Sequence, residues 1–326
     1  TRRNEMQTRR DALKRSFAVV SLMMGAGMLP ELAQAFEKSA FDAKTMADVF
    51  KALESAEVYP EKLVNTGLKY IRRTIDGEKI YYLVNHTSKA IDGFIPLQIG
   101  NKEVVIFDPL TKDYGNAIVQ KKADVTLVKL RIESGQSFIL KTENSASQKK
   151  WDYYEKAAEQ IALKGNWELS FDKGGPKLPA KTTVSTLESW TKLNHDTEAF
   201  SGTATYNLQF DAPKTEATNW SLNLGDVRES AEVWLNGTYI GTAWSNPFTI
   251  NLEKLKKGKN TLTVKVTNLG ANRVRDMEMR GEEWKIFYEI NMVDKDYKKF
   301  DATKWSPTPS GLLGPVTITP LQQNKQ

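Results

Sequence analysis

The sequence predicts an all-β protein of two β-sandwich modules, introduced by a short helical segment. The first observation is the Asn236-Gly237 pair between two strand-like runs, which is the strongest short signal for a β-hairpin. The second is the alternation of apolar and polar residues in run after run, separated by Gly-containing turns. The third is that no crossover helix fits between these runs, so the sheets should be antiparallel. A chain of 326 residues is long enough for two modules.

Residues 1–35 contain the three parts of an export signal. A basic stretch with paired arginines precedes an apolar run over 17–29, and Ala33-Gln34-Ala35 follows. The paired arginines are typical of twin-arginine export, so we expect a bacterial, periplasmic or secreted protein. The alternative is an amphipathic or buried helix of a folded domain. The apolar run is too short to cross a bilayer, and no membrane span is expected.

Residues 36–58 place apolar side chains at helical spacing, which predicts a short helical lead-in. The first β-sandwich module is predicted over 59–145, where strand-like runs recur about every ten residues. Turn signals such as Asp76-Gly77 separate these runs. Residues 146–164 are polar and favour helix, so we predict a helical linker between the modules.

The second module is predicted over 165–326, and the hairpin is its clearest element. Alternation continues beyond the hairpin through Phe248, Ile250 and Leu252. After a Lys-Gly-Lys break it resumes over 262–266, which predicts another strand with one buried face. The strand count and the length of about 160 residues match a jelly roll.

Composition excludes several kinds of chemistry. The absence of cysteine excludes disulfides, thiolate metal sites and cysteine nucleophiles. Only His86 and His195 are available as imidazole ligands, and they lie far apart without a metal-binding spacing. The net charge of +6 arises largely in residues 1–15, so nucleic acid is not an expected partner. No segment matches a phosphate-binding glycine loop.

The segment 268–314 carries the best candidates for a binding site. Long irregular connections on β scaffolds are where such sites usually lie. A sugar needs polar partners for its hydroxyl groups and a flat apolar face for its C–H groups. The predicted carbohydrate-binding residues are Asn272, Arg273, Asp276, Trp284, Tyr288 and Trp305.

A structural interpretation of the same residues is equally open. In it, residues 284–290 form a core strand, and Arg273 and Asp276 form a structural ion pair. Carboxylates are abundant in this segment, but sequence proximity does not establish the spatial separation that glycoside hydrolysis requires.

Four segments of the second module together resemble the C-terminal region of glycoside hydrolase family 106, the α-L-rhamnosidases. They are VWLNGTYIGTAWSNPFTINL, NLGANRVRDMEMRG, EEWKIFYEINMVDKDYKKFDATKWSP and PSGLLGPVTI. The earlier run TGLKYIRRTIDGEKIYYLVNHTSKAIDGFIPL resembles the β domain that follows the catalytic barrel in such enzymes. The hairpin is similar to the sugar-binding jelly roll of family 2 glycosidases, which implies a galactose-binding-like second module.

The resemblance implies a carbohydrate-associated β-sandwich portion of a rhamnosidase-like enzyme, without the catalytic (β/α)8 barrel and its carboxylates. We therefore expect no catalytic residue here, and either sugar binding or support of a catalytic barrel domain. The implied partner is a plant-type or pectic oligosaccharide containing rhamnose. No cofactor is expected, and calcium, which that family carries in its active site, is the one candidate ion.

Two alternatives remain open. In one, the chain contributes to hydrolysis that a barrel or partner chain completes; in the other, it serves a purely structural assembly role. An exposed apolar face on the first module would favour the structural role.

Overall fold

The computed structural model describes residues 48, 51, 53, 61–122, 125–146, 149–215, 217–287 and 293–324. The chain divides into two compact units, one ending at Trp151 and the other beginning at Asp152. The named strands of both units pair antiparallel, so the predicted all-β class is confirmed. No helix in the described part of the chain is long and apolar enough to cross a membrane.

The predicted export segment, residues 1–35, lies outside the described residues. The same holds for most of the predicted helical lead-in over 36–58. Its described residues, Asp48, Lys51 and Leu53, are helical.

The first unit is a sandwich of two antiparallel sheets, preceded by a 3-10 helix over Lys62–Thr66. Its described strands are β1 (Lys69–Ile75), β2 (Glu78–Val84), β3 (Ile91–Leu97), β4 (Glu103–Phe107), β5 (Tyr114–Asn116), β6 (Val119–Lys122), β7 (Val125–Ile132) and β8 (Ser137–Glu143). One sheet has the order β1-β2-β8-β4-β5 and the other β3-β7-β6. Inward side chains of both sheets, such as Leu83 and Val128, share one buried core. The predicted strand runs of this module are confirmed.

A buried carboxylate joins the two sheets of the first unit. Glu61 is 3% exposed, and its Oε1 accepts hydrogen bonds from Arg72 Nη1 at 2.5 Å and Tyr81 Oη at 2.6 Å. Its Oε2 accepts a hydrogen bond from the backbone N–H of Gln98, directly after β3, at 2.9 Å. Burial and the neighbouring Glu61 raise the pKa of Tyr81, so this phenol remains a hydrogen-bond donor.

The outer face of the five-stranded sheet carries a continuous apolar row, which we call the outer apolar row. Successive cross-strand partners form it: Ile71, Tyr82, Ile139, Phe107 and Tyr114. Ile71, Tyr82 and Tyr114 are 64%, 41% and 44% exposed. The rings of Phe107 and Tyr114 stack with their centroids 5.8 Å apart. Contiguous exposed apolar surface of this kind is typical of an interaction face.

The second unit is also a sandwich. Its described strands are β9 (Tyr154–Lys156), β10 (Ile161–Ala162), β11 (Trp167–Gly175), β12 (Thr182–Val184), β13 (Ser201–Asp211), β14 (Asn219–Asn223), β15 (Asp226–Arg228), β16 (Ser230–Leu235), β17 (Thr238–Ala243), β18 (Thr249–Leu252), β19 (Lys259–Thr267), β20 (Gly311–Gly314) and β21 (Thr317–Gln323). Its described helices are a 3-10 helix over Trp190–Lys192, α1 (His195–Ala199) and α2 (Ala271–Met279).

The two main sheets of the second unit share one core. The first has the order β12-β11-β13-β19-β16-β17, and the second has the order β10-β21-β14-β18 with β9 also paired to β21. Strands β15 and β20 form a small third sheet. Buried side chains from both main sheets, such as Leu208 and Leu222, belong to the same cluster. The predicted sandwich is therefore present in this unit too.

The predicted hairpin is confirmed as β16 and β17. Asn236 and Gly237 have φ values of 53° and 83°, the positive values that the turn requires. The side chain of Asn236 also accepts a hydrogen bond from the backbone N–H of Thr261 at 3.0 Å and donates one to Asn260 Oδ1 at 2.9 Å. The turn is thus fastened to the start of β19.

The prediction of a helical linker over 146–164 is wrong for its described residues. They contain strands β9 and β10, and both strands pair with β21. Tyr153 and Leu163 in this segment are buried. Backbone pairing with β21 and burial of these side chains outweigh the weak local preference for helix.

An aromatic cluster forms part of the core of the second unit. Trp190 is fully buried, and its ring meets the rings of Phe171 and Phe200 edge-on at centroid distances of 5.6 and 5.8 Å. Gly311 lies against Trp190 and Tyr206, where a Cβ would overlap both side chains.

We expect Trp190→Ala to lower the free energy of unfolding of the second unit by about 3–5 kcal/mol, because it leaves a large cavity in a packed core. Urea denaturation followed by circular dichroism measures this change. The control is Trp244→Ala, which removes a tryptophan that is 59% exposed and should cost less than about 0.5 kcal/mol. Equal losses in the two variants would contradict the assignment of Trp190 to the core.

Candidate functional site

The candidate residues lie on or after α2, which follows β19. Asn272, Arg273 and Asp276 are on the helix, and Trp284 and Trp305 are in the chain beyond it. Tyr288 lies outside the described residues. The structure therefore describes five of the six predicted binding residues, and their side chains make different kinds of contact.

Asn272 is committed to interactions within the protein. It is 3% exposed, and its Nδ2 donates hydrogen bonds to Thr308 O at 2.8 Å and Ser310 Oγ at 3.1 Å. Its Oδ1 accepts a hydrogen bond from the backbone N–H of Thr308 at 2.7 Å. A side chain with these partners positions the 308–310 segment rather than offering an amide to a ligand.

Arg273 presents its guanidinium on the surface beside the end of β11. Its backbone N–H donates a hydrogen bond to Ser201 Oγ at 3.3 Å. A Cβ at Gly175 would lie 2.9 Å from Arg273 Cζ, so the guanidinium packs closely on the glycine backbone. Among the described residues no carboxylate forms an ion pair with Arg273, which leaves its five donors for other partners.

The structural ion pair in this region involves a different arginine from the one predicted. Asp276 Oδ2 accepts hydrogen bonds from Arg280 Nε at 2.9 Å and Nη2 at 2.7 Å, one helical turn further along. Arg280 also contacts Glu282. The alternative pair between Arg273 and Asp276 is not formed, since Asp276 binds Arg280 and the Arg273 guanidinium packs on Gly175.

Three aromatic rings lie together beside the end of α2. Phe300 meets Trp284 and Trp305 edge-on, with centroid distances of 5.8 and 5.4 Å. Trp284 is half-buried, and Trp305 is 41% exposed. We call Trp284, Phe300 and Trp305 the aromatic triad. The alternative prediction of a core strand over 284–290 does not hold for its described residues, since 284–287 are irregular and Phe287 is 58% exposed.

Glu278 connects α2 to the aromatic triad. Its Oε1 accepts hydrogen bonds from Trp284 Nε1 at 2.8 Å and from Lys285 Nζ at 2.6 Å. The Lys285 ammonium lies 5.6 Å from the ring centroid of Trp284 and 5.4 Å from that of Phe300. Mainly through the hydrogen bond from Lys285, the pKa of Glu278 is lowered from its ordinary value.

Arg275 holds the exposed member of the triad in place. Its Nε donates a hydrogen bond to the backbone oxygen of Trp305 at 2.8 Å, and its Nη1 contacts Glu198 Oε1 at 2.8 Å. Sequence reasoning did not assign these positioning roles to Arg275 and Glu278. Arg275 and Glu278 are three residues apart on α2, a spacing that places them on one face of the helix. Their partners could not be read from this spacing, because Glu198 and Trp305 are far from Arg275 in the sequence and Trp284 lies in irregular chain.

The three carboxylates around α2, those of Glu198, Asp276 and Glu278, each pair with a cation of the protein. A general acid for glycoside hydrolysis needs a raised pKa, and that of Glu278 is lowered. The Glu198 and Asp276 carboxylates each pair with an arginine. Among the described residues no group of three His, Asp or Glu side chains could hold a metal ion, so none of them identifies a calcium site.

Comparison with known proteins places part of this chain among glycosidase domains. Residues 172–272 match the domain family described as beta-galactosidase second all-beta domain. A stretch of 184 residues is 33% identical to a protein named "Putative beta-glucuronidase" from Formosa agariphila, and the match covers 50% of this chain and 16% of that protein.

Among solved structures, the rhamnosidase from Novosphingobium sp. PP1Y superposes on 83% of this chain with 25% identity and a TM-score of 0.64. The match covers 26% of the rhamnosidase chain. A GH2 beta-galacturonidase from Eisenbergiella tayi matches 52% of this chain at 16% identity, with a TM-score of 0.34 that is too low to support an argument. This chain therefore resembles a β-domain portion of glycoside hydrolases and spans a small part of these relatives.

We expect Asn272→Ala to lower the free energy of unfolding by about 2–3 kcal/mol, because it removes three hydrogen bonds and leaves buried groups near Ser310 without partners. Chemical denaturation measures the loss. The matched variant Asn251→Ala removes an exposed amide and should change stability by less than about 0.5 kcal/mol. A neutral result for Asn272→Ala would show that the amide is available for another role.

The lowered pKa of Glu278 predicts a pH dependence of stability. The ionised carboxylate stabilises the fold above the ordinary carboxyl pKa, and this contribution is lost as pH falls through the lowered pKa. We therefore expect Glu278→Gln to lower the Tm at about pH 7 and to have little effect at about pH 2.5. Glu232→Gln, an exposed change on β16, is the control. A Tm difference for Glu278→Gln that is the same at both pH values would contradict this assignment.

Proposed function

We propose that this chain is the carbohydrate-associated, non-catalytic β-sandwich portion of an enzyme related to the α-L-rhamnosidases of glycoside hydrolase family 106, and that it acts together with a catalytic domain. The main support is the superposition of 83% of the chain on 26% of a rhamnosidase. The sequence motifs of 231–269 and 309–315 point in the same direction. The expected ligand is an oligosaccharide containing rhamnose.

Sugar contact at the aromatic triad is the form of this proposal that the site favours. Trp305 offers an exposed ring, and the guanidinium of Arg273, which has no ion pair within the described part of the chain, offers donors on the same unit. A deoxy sugar such as rhamnose presents an apolar face that can pack on an indole. Asn272 and Asp276 then act as supports, because their polar atoms already have partners in the protein.

A supporting role for the first unit is favoured by the outer apolar row. Its exposed side chains lie in register across the whole five-stranded sheet. A surface of this kind suits a neighbouring domain that excludes water from it. In this role the row would pack against a catalytic domain, and the second unit would present the sugar contact.

The rival hypothesis is that this chain contributes directly to hydrolysis. Release of a chromogenic group from an aryl α-L-rhamnoside by the purified chain distinguishes the two, since the proposed role predicts no release. Release that disappeared in the Glu278→Gln variant would overturn the proposal and assign a reaction to this site.

We expect the purified chain to bind a rhamnose-rich oligosaccharide weakly and reversibly, with heat that saturates in isothermal titration. Trp305→Ala should weaken binding by about tenfold, because it removes an exposed aromatic face. Trp244→Ala, which removes a more exposed tryptophan on another loop, should leave the affinity unchanged. Titrations with and without calcium determine whether an ion contributes. No saturable heat in either condition would contradict sugar binding by this chain.

A further inference from the structure

A cleft at one end of the second unit has the features of a second binding site. It has a volume of about 630 Å³ and is bounded by residues 212–215, 217, 218 and 254–258 together with the end of β21. This size is within the range of pockets that accommodate one or two sugar residues. Its described lining includes four lysines and two large apolar side chains: Lys214, Lys254, Lys256, Lys257, Trp220 and Leu255.

The cleft is distinct from the aromatic triad. Strands β13 and β19 run between the two regions, with Thr203 paired to Thr267 at the α2 end and Asp211 paired to Lys259 at the cleft end. Eight residues of extended strand separate positions 203 and 211, which corresponds to about 26 Å. A single small sugar therefore cannot occupy both regions.

The loop that carries three of the lysines is held in shape by a buried side chain. Asn260 is 1% exposed, and its Nδ2 donates hydrogen bonds to Lys256 O at 2.8 Å and Gly258 O at 3.1 Å. Its Oδ1 accepts a hydrogen bond from the backbone N–H of Lys256 at 3.0 Å. The backbone N–H of Ala212 donates to Gly258 O at 2.8 Å and joins the two loops. These hydrogen bonds within the protein thus preorganise the loops at the opening of the cleft.

The described lining of the cleft is positively charged. None of its four lysines forms an ion pair with a carboxylate among the described residues, whereas Lys181 and Lys192 elsewhere in the unit do. No aspartate or glutamate is among the described residues that line it. Four ammonium groups around one concave surface attract anions and raise their local concentration.

We infer that this cleft binds an acidic saccharide, with the lysines contacting carboxylate or sulfate groups on the sugar. The inference rests on the proposed carbohydrate role and adds a ligand class to it. Trp220 is 3% exposed, so its ring offers no free face on which a nucleic-acid base could stack. Uronates and sulfate esters both carry negative charge, and separate titrations with each of them determine which group the cleft prefers.

The test is isothermal titration of the full chain with three oligosaccharides of equal length. They are tetragalacturonate, its methyl ester and a sulfated neutral tetrasaccharide. We expect saturable heat with at least one acidic probe and no heat with the uncharged ester. The affinity should fall at least threefold between about 50 and 200 mM NaCl, because the lysines are exposed and screened by salt. The acidic probe that binds more tightly identifies the charged group.

Two double variants locate the binding. Lys256→Ser with Lys257→Ser should weaken binding of the acidic probe at least tenfold. Lys62→Ser with Lys69→Ser removes the same charge from exposed positions of the first unit and should leave it unchanged. Lys214→Ser with Lys254→Ser provides an independent pair in the cleft, should the first pair alter the circular dichroism spectrum.

Four results would overturn the inference. They are no saturable heat with either acidic probe, binding of the methyl ester as tight as that of the acid, equal losses in the cleft and control variants, and equally tight binding of single-stranded DNA of matched charge. The rhamnose-rich oligosaccharide distinguishes this failure from failure of the proposed function. If it still binds while the acidic probes do not, the carbohydrate role stands without the acidic ligand.

Discussion

The arrangement around α2 depends on the buried hydroxyl of Ser310. Its Oγ accepts hydrogen bonds from Asn268 Nδ2 at 2.9 Å and Asn272 Nδ2 at 3.1 Å, and it donates to Thr308 O at 3.0 Å. The Ser310 backbone N–H donates to Ser189 Oγ at 2.9 Å. This one residue therefore joins the end of β19, the start of α2 and the segment before β20. Since burying such groups without partners is costly, the network strongly favours a single arrangement of these segments.

The same network gives a physical reason for two motifs that are conspicuous in the sequence. NLGANRVRDMEMRG supplies Asn268 and Asn272, and PSGLLGP supplies Ser310 and Gly311. Gly311 has a φ of 104° and lies against Trp190, so a side chain there would meet both backbone strain and a clash. The residues of these motifs are therefore explained by their hydrogen bonds and packing within the fold. They inform about function only indirectly, through the surface residues that the fold exposes.

Sequence patterns predicted the elements that local chemistry determines. The hairpin at Asn236-Gly237 follows from the φ requirement of its turn, and the strands of the first unit follow from alternation and turn residues. The misassigned segment over 149–164 has the composition of a helix, but its conformation is set by pairing with β21, which lies more than 150 residues later in the chain. Periodicity within a short window contains no information about such a partner. The region of the candidate site was identified from the sequence, but the partners of Asp276 and Trp284 were not. They depend on which side chains share a face of α2 and on the path of the irregular chain that follows it.

The distribution of charge separates the two ends of the second unit. Around α2, the carboxylates of Glu198, Asp276 and Glu278 each contact a cation, and the cations are thereby neutralised within the protein. The exposed groups at this end include the ring of Trp305 and the guanidinium of Arg273, which suit a neutral ligand with an apolar face. At the other end of β13 and β19, the lysines lack such partners among the described residues, and the free charge suits an anion. A polysaccharide that carried both neutral deoxy sugars and acidic sugars would match both ends at once. The two weak contacts would then raise the overall affinity for one polysaccharide molecule. Once the first contact is made, the second forms at a high effective concentration.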